Sequence, residues 1–189
     1  MNKILAKVTT MCHEIISKTV SEGDQAIDAT VGKGQDTLFL ANLVGNNGHV
    51  YGFDIQKEAI EITQIQLAEN SLSSRVSLFN TGHENLDEYI INPVKAIMFN
   101  LGYLPGGDHK VITSTETTIV ALKKSVSLLA LYGILSVIIY PGHPGGDIEK
   151  EAVESFFKVL PKNEFDVIKV TLFNKIDSSP YIIIAQRIH

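Results

Sequence analysis

The sequence predicts an α/β fold with a Rossmann-like sheet of seven strands, mostly parallel, in which one strand is antiparallel. Short apolar, β-branched runs alternate with stretches of helical length along most of the chain. This alternation is typical of a parallel sheet covered by helices on both faces. The alternation stops near the end of the chain, where two strand-like runs follow each other directly. A length of 189 residues fits one domain, over 1–189, with residues 1–22 as an N-terminal helical extension.

The alternating part of the chain contains five predicted strands and four predicted helices. The strands are expected over 25–29, 49–53, 75–79, 94–99 and 133–140. The helices are expected over 37–44, 57–70, 111–131 and 148–160, and a further N-terminal helix over 9–20. Each strand therefore has helical chain available for a crossover to its neighbour.

The last two strand-like runs predict an antiparallel hairpin. They cover 165–173 and 181–188, and only the polar turn 174–180 joins them. That connection is too short for a parallel crossover. Five alternating strands followed by a hairpin look like the class I methyltransferase fold, whereas a plain dinucleotide-binding domain is not expected to end in this way.

Charge and composition narrow the range of partners. The formal net charge of −5 argues against electrostatic binding along a long nucleic acid, and leaves a small RNA footprint or a small molecule. The single cysteine, Cys12, cannot form an internal disulfide, which agrees with a reducing compartment. The start of the chain does not resemble a signal peptide, and the apolar stretch 128–140 is too short to span a bilayer. We therefore expect a cytoplasmic protein without membrane contact.

A glycine turn follows the first predicted strand. Gly32 and Gly34 allow a sharp turn against a ligand, and the next helix directs its free N–H groups at the same place. Asp28 and Asp36 flank the turn, and each would repel a pyrophosphate by roughly 1 kcal/mol. Thr37 stands where the dinucleotide pattern has its third glycine. The turn therefore favours S-adenosylmethionine, which is cationic, over NAD, although Asp36 can also serve as a helix-start residue.

The ends of the second and third strands supply groups for an adenosine. Asp54 can accept hydrogen bonds from both ribose hydroxyls, or it can cap the helix that starts near Gln56. His83 and Glu84 follow the third strand, where a methyltransferase of this fold has residues beside the adenine. A solvated cluster at a helix start is the alternative for these two residues.

The loop after the fourth strand lies at the expected topological switch point. Asn100 and Tyr103 have the Asn-x-x-Tyr spacing of amino-group methyltransferases that carry Asn-Pro-Pro-Tyr, with Leu101 and Gly102 in place of the prolines. The side-chain oxygen of Asn100, or a backbone carbonyl oxygen, can hold the hydrogens of an amine and aim its lone pair at the methyl carbon. The aromatic ring can stack on a base. A turn-capping Asn100 and a packed Tyr103 are the alternatives.

The loop after the fifth strand presents Tyr140 and His143 among two prolines and three glycines. His143 could take a proton from an amine or contact a phosphate, or it could be a turn residue without chemistry. No His or Cys pair has metal-ligand spacing, so we predict no metal. Cys12 is expected in a packed helix, which makes attack by nitrogen a better fit than methylation of a pyrimidine carbon by a cysteine nucleophile.

Three motifs together resemble the YtqB/MnmM family over essentially the whole chain. They are Asp-Ala-Thr-Val-Gly-Lys-Gly-Gln-Asp-Thr from Asp28, Asn-Leu-Gly-Tyr-Leu-Pro-Gly-Gly-Asp from Asn100, and Tyr-Pro-Gly-His-Pro-Gly-Gly from Tyr140. The resemblance implies a methyltransferase that acts on the tRNA anticodon stem-loop. It would convert the 5-aminomethyl group of the wobble (2-thio)uridine to 5-methylaminomethyl, with S-adenosylmethionine as donor.

The resemblance also implies the residues of the site. The donor would be surrounded by Asp28, Thr30, Gly32, Gly34, Gln35, Asp36, Thr37, Asp54, Gln56, His83, Glu84, Asn100 and Gly102. The base would be surrounded by Tyr103, Asp108, His109, Tyr140 and His143, and the catalytic residues would be Asn100, Tyr103 and His143. Lys33 and His109 depart from the usual Asn and Lys of the family, and the second change affects an expected phosphate contact.

Other functions remain open at this level. An rRNA or small-molecule methyltransferase would use the same scaffold, and a non-catalytic sensor of an adenosine ligand would use the same donor pocket. The oligomeric state is open as well, with a homodimer as one alternative.

Overall fold

The computed structural model describes residues 7–102, 114–141, 146–175 and 179–189, which form a seven-stranded sheet with the order β3-β2-β1-β4-β5-β7-β6. The strands are β1 (Gln25–Asp28), β2 (His49–Phe53), β3 (Val76–Phe79), β4 (Val94–Leu101), β5 (Leu129–Ile139), β6 (Phe165–Val170) and β7 (Tyr181–Arg187). The first five strands are mutually parallel, while β7 is antiparallel to both of its neighbours. The predicted sheet with one reversed strand is therefore confirmed.

Helices cover both faces of the sheet. They are α1 (Val8–Ile16), α2 (Gln35–Val44), α3 (Lys57–Glu69), α4 (Thr115–Leu128) and α5 (Gly146–Lys158). Two short 3₁₀ helices, Ser73–Arg75 and His83–Glu88, lie before and after β3. Within the described ranges, no helix has the length and apolar character needed to cross a membrane.

The sheet separates two layers of buried side chains. Neighbouring residues of β4 point to opposite layers, with Ile97 in the layer of α4 and α5 and Met98 in the layer of α1, α2 and α3. The central strands therefore read as continuous apolar runs, because both of their faces are covered. In the second layer, Cys12 and Ile16 of α1 are fully buried in one cluster with Ile134 of β5. The N-terminal helix is part of the core and has a defined place on the sheet.

The predicted helix over 111–131 is wrong at its carboxyl end. Helix α4 begins after Ser114, whose side chain accepts a hydrogen bond from Thr117 N, and it ends at Leu128. Leu129 already belongs to β5, where it pairs with Val94 of β4 and accepts a hydrogen bond at its carbonyl from Arg187. Strand β5 is therefore longer than the predicted 133–140, because pairing with chain that is distant in the sequence overrides the local helical pattern.

Parallel pairing brings the carboxyl ends of β1 to β5 to one edge of the sheet. Asp28 ends β1, Asp54 follows β2, Asn80 follows β3, Asn100 lies near the end of β4 and Tyr140 follows β5. Polar groups that are far apart in the chain thus meet where ligands bind in sheets of this type.

Candidate active site

The turn after β1 is held by the side chain of Asp28, which is fully buried. One of its oxygens accepts a hydrogen bond of 2.6 Å from Thr37 Oγ1, and the other accepts one of 3.2 Å from Thr30 N. Gly34 has a φ of 76°, and a Cβ at this position would lie 2.7 Å from Thr63 Oγ1 of α3. Only glycine fits this left-handed position against α3, so the close turn follows from the sequence.

Asp54 links the ends of β1 and β2. Its two oxygens accept hydrogen bonds from Gly32 N at 2.8 Å and from Gln56 N at 2.9 Å. The contact to Gln56 N holds the chain just before α3, but no side chain forms a cap hydrogen bond at the start of this helix, so the capping alternative is not confirmed. A carboxylate has about four lone-pair positions, so each oxygen retains the capacity to accept a hydroxyl group. The local role and a ribose-binding role are therefore compatible.

Asn100 has an unsatisfied acceptor at the centre of the site. Its backbone N donates to Thr30 Oγ1 at 2.7 Å, and its Nδ2 donates to Asp36 Oδ2. Its Oδ1 is buried and has no hydrogen-bond partner among the described residues. A buried acceptor without a partner costs about 1–3 kcal/mol, and such atoms are few in native structures. This oxygen therefore marks a position that suits an N–H or O–H group of a ligand.

His83 presents a second buried atom of this kind. Its Nδ1 lies 3.2 Å from the carbonyl oxygen of Ala29, so this nitrogen must carry the hydrogen and donate. Burial lowers the pKa of His83, which favours the neutral ring. Nε2 is then an acceptor, and it has no partner in the part of the chain that the structure describes. The atom can receive an amino hydrogen, as adenine N6 would provide.

The site is strongly acidic. Burial, and then the negative charge of Asp36, raises the pKa of Asp28 from 3.8 to about 7, although the hydrogen bonds from Thr37 and Thr30 oppose the shift. Burial, followed by Asp36 and Cys12, also raises the pKa of Tyr140. A cation bound here would relieve the repulsion between the carboxylates, whereas a diphosphate would increase it. The electrostatics agree with the preference for S-adenosylmethionine over NAD that the sequence indicates.

The raised pKa of Asp28 predicts how stability depends on pH. The folded protein retains a proton on Asp28 that the unfolded chain releases near pH 4, so its free energy of unfolding should fall as the pH rises from about 4 to about 7. We expect Asp28→Asn to reduce this fall and to raise the free energy of unfolding of the ligand-free protein at pH 8 by on the order of 2 kcal/mol. Urea titrations at pH 5 and pH 8 measure both effects.

A matched control for this prediction is Asp24→Asn. Asp24 also accepts a backbone hydrogen bond, from Ser21 N at 2.8 Å, but this contact is exposed and lies before β1. The fall in the free energy of unfolding between pH 5 and pH 8 should persist in this variant, because Asp28 is unchanged. Equal pH dependence of Asp28→Asn and the parent protein would contradict the prediction.

Most of the predicted donor residues lie in this part of the structure. The contacts given above connect Asp28, Thr30, Asp36, Thr37 and Asn100 with one another. They also connect Asp54 with Gly32 and Gln56, while His83 contacts Ala29 O directly after β1. Gly34 and Gln35 lie where α2 begins. Glu84 is in the 3₁₀ helix after β3, and Gly102 follows β4 with a φ of 145°. The predicted residues Tyr103, Asp108, His109 and His143 lie outside the described residues.

Two neighbours of the site are not among the residues that the sequence predicts for it. Asn80 donates through Nδ2 to the carbonyl oxygens of Asp54 at 3.0 Å and Ile55 at 2.9 Å, which fixes the chain after β2. His13 of α1 contacts Asp36 Oδ1 at 2.5 Å. Neither residue belongs to a motif, although an Asn directly after a strand is a weak indication. Burial raises the pKa of the Cys12 thiol to about 11, so this neighbour of His13 is protonated at neutral pH and is a poor nucleophile.

The strand order, the single reversed strand and the polar groups at the carboxyl edge define the class I methyltransferase fold. The family model described as "Putative rRNA methylase" matches residues 50–186. The chain belongs to this family, which confirms the resemblance that the three motifs indicate. An O-methyltransferase of Thermotoga maritima shares the fold, with a TM-score of 0.67 at 16% identity.

Several proteins are similar to this chain. The tRNA (mnm(5)s(2)U34)-methyltransferase, chloroplastic, of Arabidopsis thaliana is 39% identical over 180 residues, which cover 89% of this chain and 65% of that protein. A "putative rRNA-methylase" of Clostridium thermocellum has a TM-score of 0.94 at 46% identity, covering 96% of this chain and 98% of the other. A "putative methyltransferase" of Streptococcus mutans, in complex with SAH, has a TM-score of 0.88 at 34% identity over the full length of both chains. The chain thus spans just under two thirds of the Arabidopsis protein.

Proposed function

We propose that this protein is an S-adenosylmethionine-dependent methyltransferase that N-methylates the 5-aminomethyl group of the wobble (2-thio)uridine in tRNA. The observation that carries the proposal is the buried Oδ1 of Asn100, which has no hydrogen-bond partner within the described residues and lies beside an acidic pocket. The name of the Arabidopsis relative and the SAH bound to the Streptococcus mutans relative support the substrate and the donor.

The residues present fit the donor. S-adenosylmethionine supplies a methyl group on a positively charged sulfur, together with an α-ammonium group. We assign the ribose hydroxyls to the free lone pairs of Asp54 and the adenine amino group to Nε2 of His83. The carboxylates of Asp28 and Asp36 favour the two positive charges, and the glycine turn allows the ligand to approach the backbone.

On the acceptor side, Asn100 Oδ1 would accept a hydrogen from the substrate amine. The amine has to be neutral, because only an unprotonated nitrogen has a lone pair to attack with. A hydrogen bond to Oδ1 fixes the amine so that this lone pair points at the methyl carbon, and such orientation provides a large share of the rate. The C–N bond forms as the C–S bond breaks, and the surplus amine proton leaves afterwards. We assign Tyr103, Asp108, His109, Tyr140 and His143 to the surroundings of the base, with His143 as proton acceptor or phosphate contact.

The partner in this proposal is the anticodon stem-loop. A net charge of −5 disfavours a long RNA interface, and a single loop needs only a local contact. The same proposal includes a cytoplasmic location and a homodimer. Light scattering during size-exclusion chromatography measures the oligomeric state. Methylation of rRNA is the second candidate function, favoured by the description of the family.

Mass spectrometry of nucleosides from a deletion strain tests the proposed function. We expect unmethylated 5-aminomethyl-(2-thio)uridine to accumulate in tRNA and to disappear when the gene is restored. A gene carrying Asn100→Ala should not restore the modification, whereas Asn42→Ala should, because Asn42 only donates to Leu38 O on the exposed side of α2. Unchanged wobble nucleosides would refute the assignment, and a lost rRNA methyl group in the same strain would favour the second candidate.

A further inference from the structure

A chain of hydrogen bonds runs from the N-terminal helix to Asn100. His13 Nε2 lies 2.5 Å from Asp36 Oδ1, and Asp36 Oδ2 accepts a hydrogen bond from Asn100 Nδ2. The three residues come from α1, α2 and β4, and 23 and 64 positions separate the successive pairs in the sequence. The contact of Asp36 with Asn100 therefore depends on the tertiary arrangement of these elements.

Packing fixes the first member of this chain in place. The His13 ring stacks on Phe39 of α2 with a centroid distance of 3.8 Å and an interplanar angle of 6°. On the same helix, Cys12 and Ile16 are fully buried against the sheet. The imidazole consequently has little freedom to leave Asp36, which is itself only 6% exposed.

The arrangement determines which end of the Asn100 side chain faces the pocket. Asp36 Oδ2 accepts its hydrogen bond from Asn100 Nδ2, so it holds the amino group of the carboxamide and turns Asn100 Oδ1 the other way. A half-turn of the carboxamide would exchange Oδ1 and Nδ2, and would direct a hydrogen-bond donor at the substrate amine. Asp36 selects the observed orientation of Asn100 best when the Asp36 carboxylate cannot rotate. The contact of Asp36 Oδ1 with His13 Nε2 restrains that rotation.

We propose that His13 is a positioning residue for methyl transfer, which acts through Asp36 to aim Asn100 Oδ1 at the substrate amine. The inference rests on the proposed function. His13 touches neither the donor nor the amine in this assignment. Its loss leaves the carboxylate of Asp36 in the donor pocket, so we expect a lower kcat and nearly unchanged binding of both substrates. A residue that only attached α1 to α2 would change the stability of the protein and would not change the orientation of Asn100.

A matched pair of variants isolates the hydrogen bond. The Gln side chain in His13→Gln can place an N–H near the position of the imidazole Nε2, whereas the Met side chain in His13→Met has nearly the same length and no donor. Both variants lose the stacking on Phe39 equally. We expect kcat for an aminomethylated anticodon stem-loop to fall about 10- to 100-fold in His13→Met, as is typical when the support of an active-site group is removed. His13→Gln should recover most of the loss, and the Kd of the donor and the KM of the stem-loop should stay within about twofold in both.

Nitrogen-15 NMR provides a readout that is independent of turnover. The side-chain amide signals of Asn100, assigned with Asn100→Ala, should shift in His13→Met and return towards their original positions in His13→Gln. His49→Met is the control. His49 is the first residue of β2, at the strand end away from the site, and its Nε2 lies 2.9 Å from Ser77 Oγ of β3. This variant should change neither kcat nor the Asn100 signals. If His13→Met does not fold, His13→Phe takes its place in the comparison, because phenylalanine keeps an aromatic ring against Phe39 and has no hydrogen-bond donor.

The outcomes separate the two proposals. An inactive parent protein that binds the donor refutes the proposed substrate, while the NMR comparison still tests the positioning of Asn100. An active parent protein whose kcat and Asn100 signals do not change in His13→Met refutes the inference. Equal losses in His13→Met and His13→Gln also refute it, since they would show that the hydrogen bond has no part in the effect.

Discussion

Replacing Asn100 by alanine is expected to lower kcat for methyl transfer by about 10³-fold, because the amine loses the acceptor that orients its lone pair. The Kd of S-adenosylmethionine should change by no more than about fivefold, since the proposed contacts of Oδ1 are with the amine and not with the donor. Single-turnover assays with a saturating anticodon stem-loop measure the rate, and calorimetry measures the affinity for the donor.

The same variant removes the partner of Asp36 Oδ2, so its stability has to be measured alongside its rate. A buried acceptor left without its donor costs about 1–3 kcal/mol, and we expect a loss of this size in urea unfolding. Asn42→Ala is the control, with one exposed amide contact to Leu38 O and no expected effect on the rate. A folded Asn100→Ala protein with normal kcat would remove Asn100 from the mechanism.

Replacing Asp54 by alanine is expected to raise the Kd of S-adenosylmethionine by at least about 10²-fold, beyond the range of routine calorimetry. The two ribose hydroxyls lose a charged acceptor, and hydrogen bonds to charged groups contribute about 1.5–3 kcal/mol each. The turn also loses its contacts at Gly32 N and Gln56 N, which hold the ends of β1 and β2 together. Both effects act on the donor and leave Asn100 in place.

Asp24→Ala is the matched control for this second prediction. Asp24 accepts one backbone hydrogen bond, from Ser21 N, in an exposed turn before β1. Donor affinity should be unchanged in that variant. Asp54→Asn, which keeps one carbonyl acceptor, should lie between the parent protein and Asp54→Ala. Normal affinity in a folded Asp54→Ala protein would require a ribose site elsewhere.

Much of the fold could be predicted because its signals are local. The turn over 174–180 is too short to cross the sheet, so the antiparallel pairing of β6 with β7 follows from its length. Which of the two strands is reversed in the sheet is decided by the antiparallel pairing of β7 with β5. The boundary between α4 and β5 could not be found in this way. Leu129 continues a helical pattern, and only its pairing with Val94 and its contact with Arg187 assign it to a strand.

The candidate site could likewise be predicted only in part. Asp28, Asp54 and Asn100 lie at or next to the carboxyl ends of strands, so a parallel sheet brings them to one edge whatever the detailed packing. Asn100 Oδ1 is different: that it lacks a partner in the part of the chain that the structure describes depends on which end of the amide Asp36 holds. Residue type shows that Asn100 can accept a hydrogen bond, but not that its acceptor is free.

The sequence by itself determined the succession of strands and helices along the chain, the glycine turn and the acidic character of the pocket. These features depend on the spacing, size and charge of residues that are close in the sequence. Only the tertiary structure decided which part of the sheet the predicted packed helix α1 covers, and that His13 reaches Asp36. The physical reason is that this contact depends on how α1 and α2 pack on the same face of the sheet. A helix pattern predicts which face is apolar, but not which polar groups meet when that face is buried.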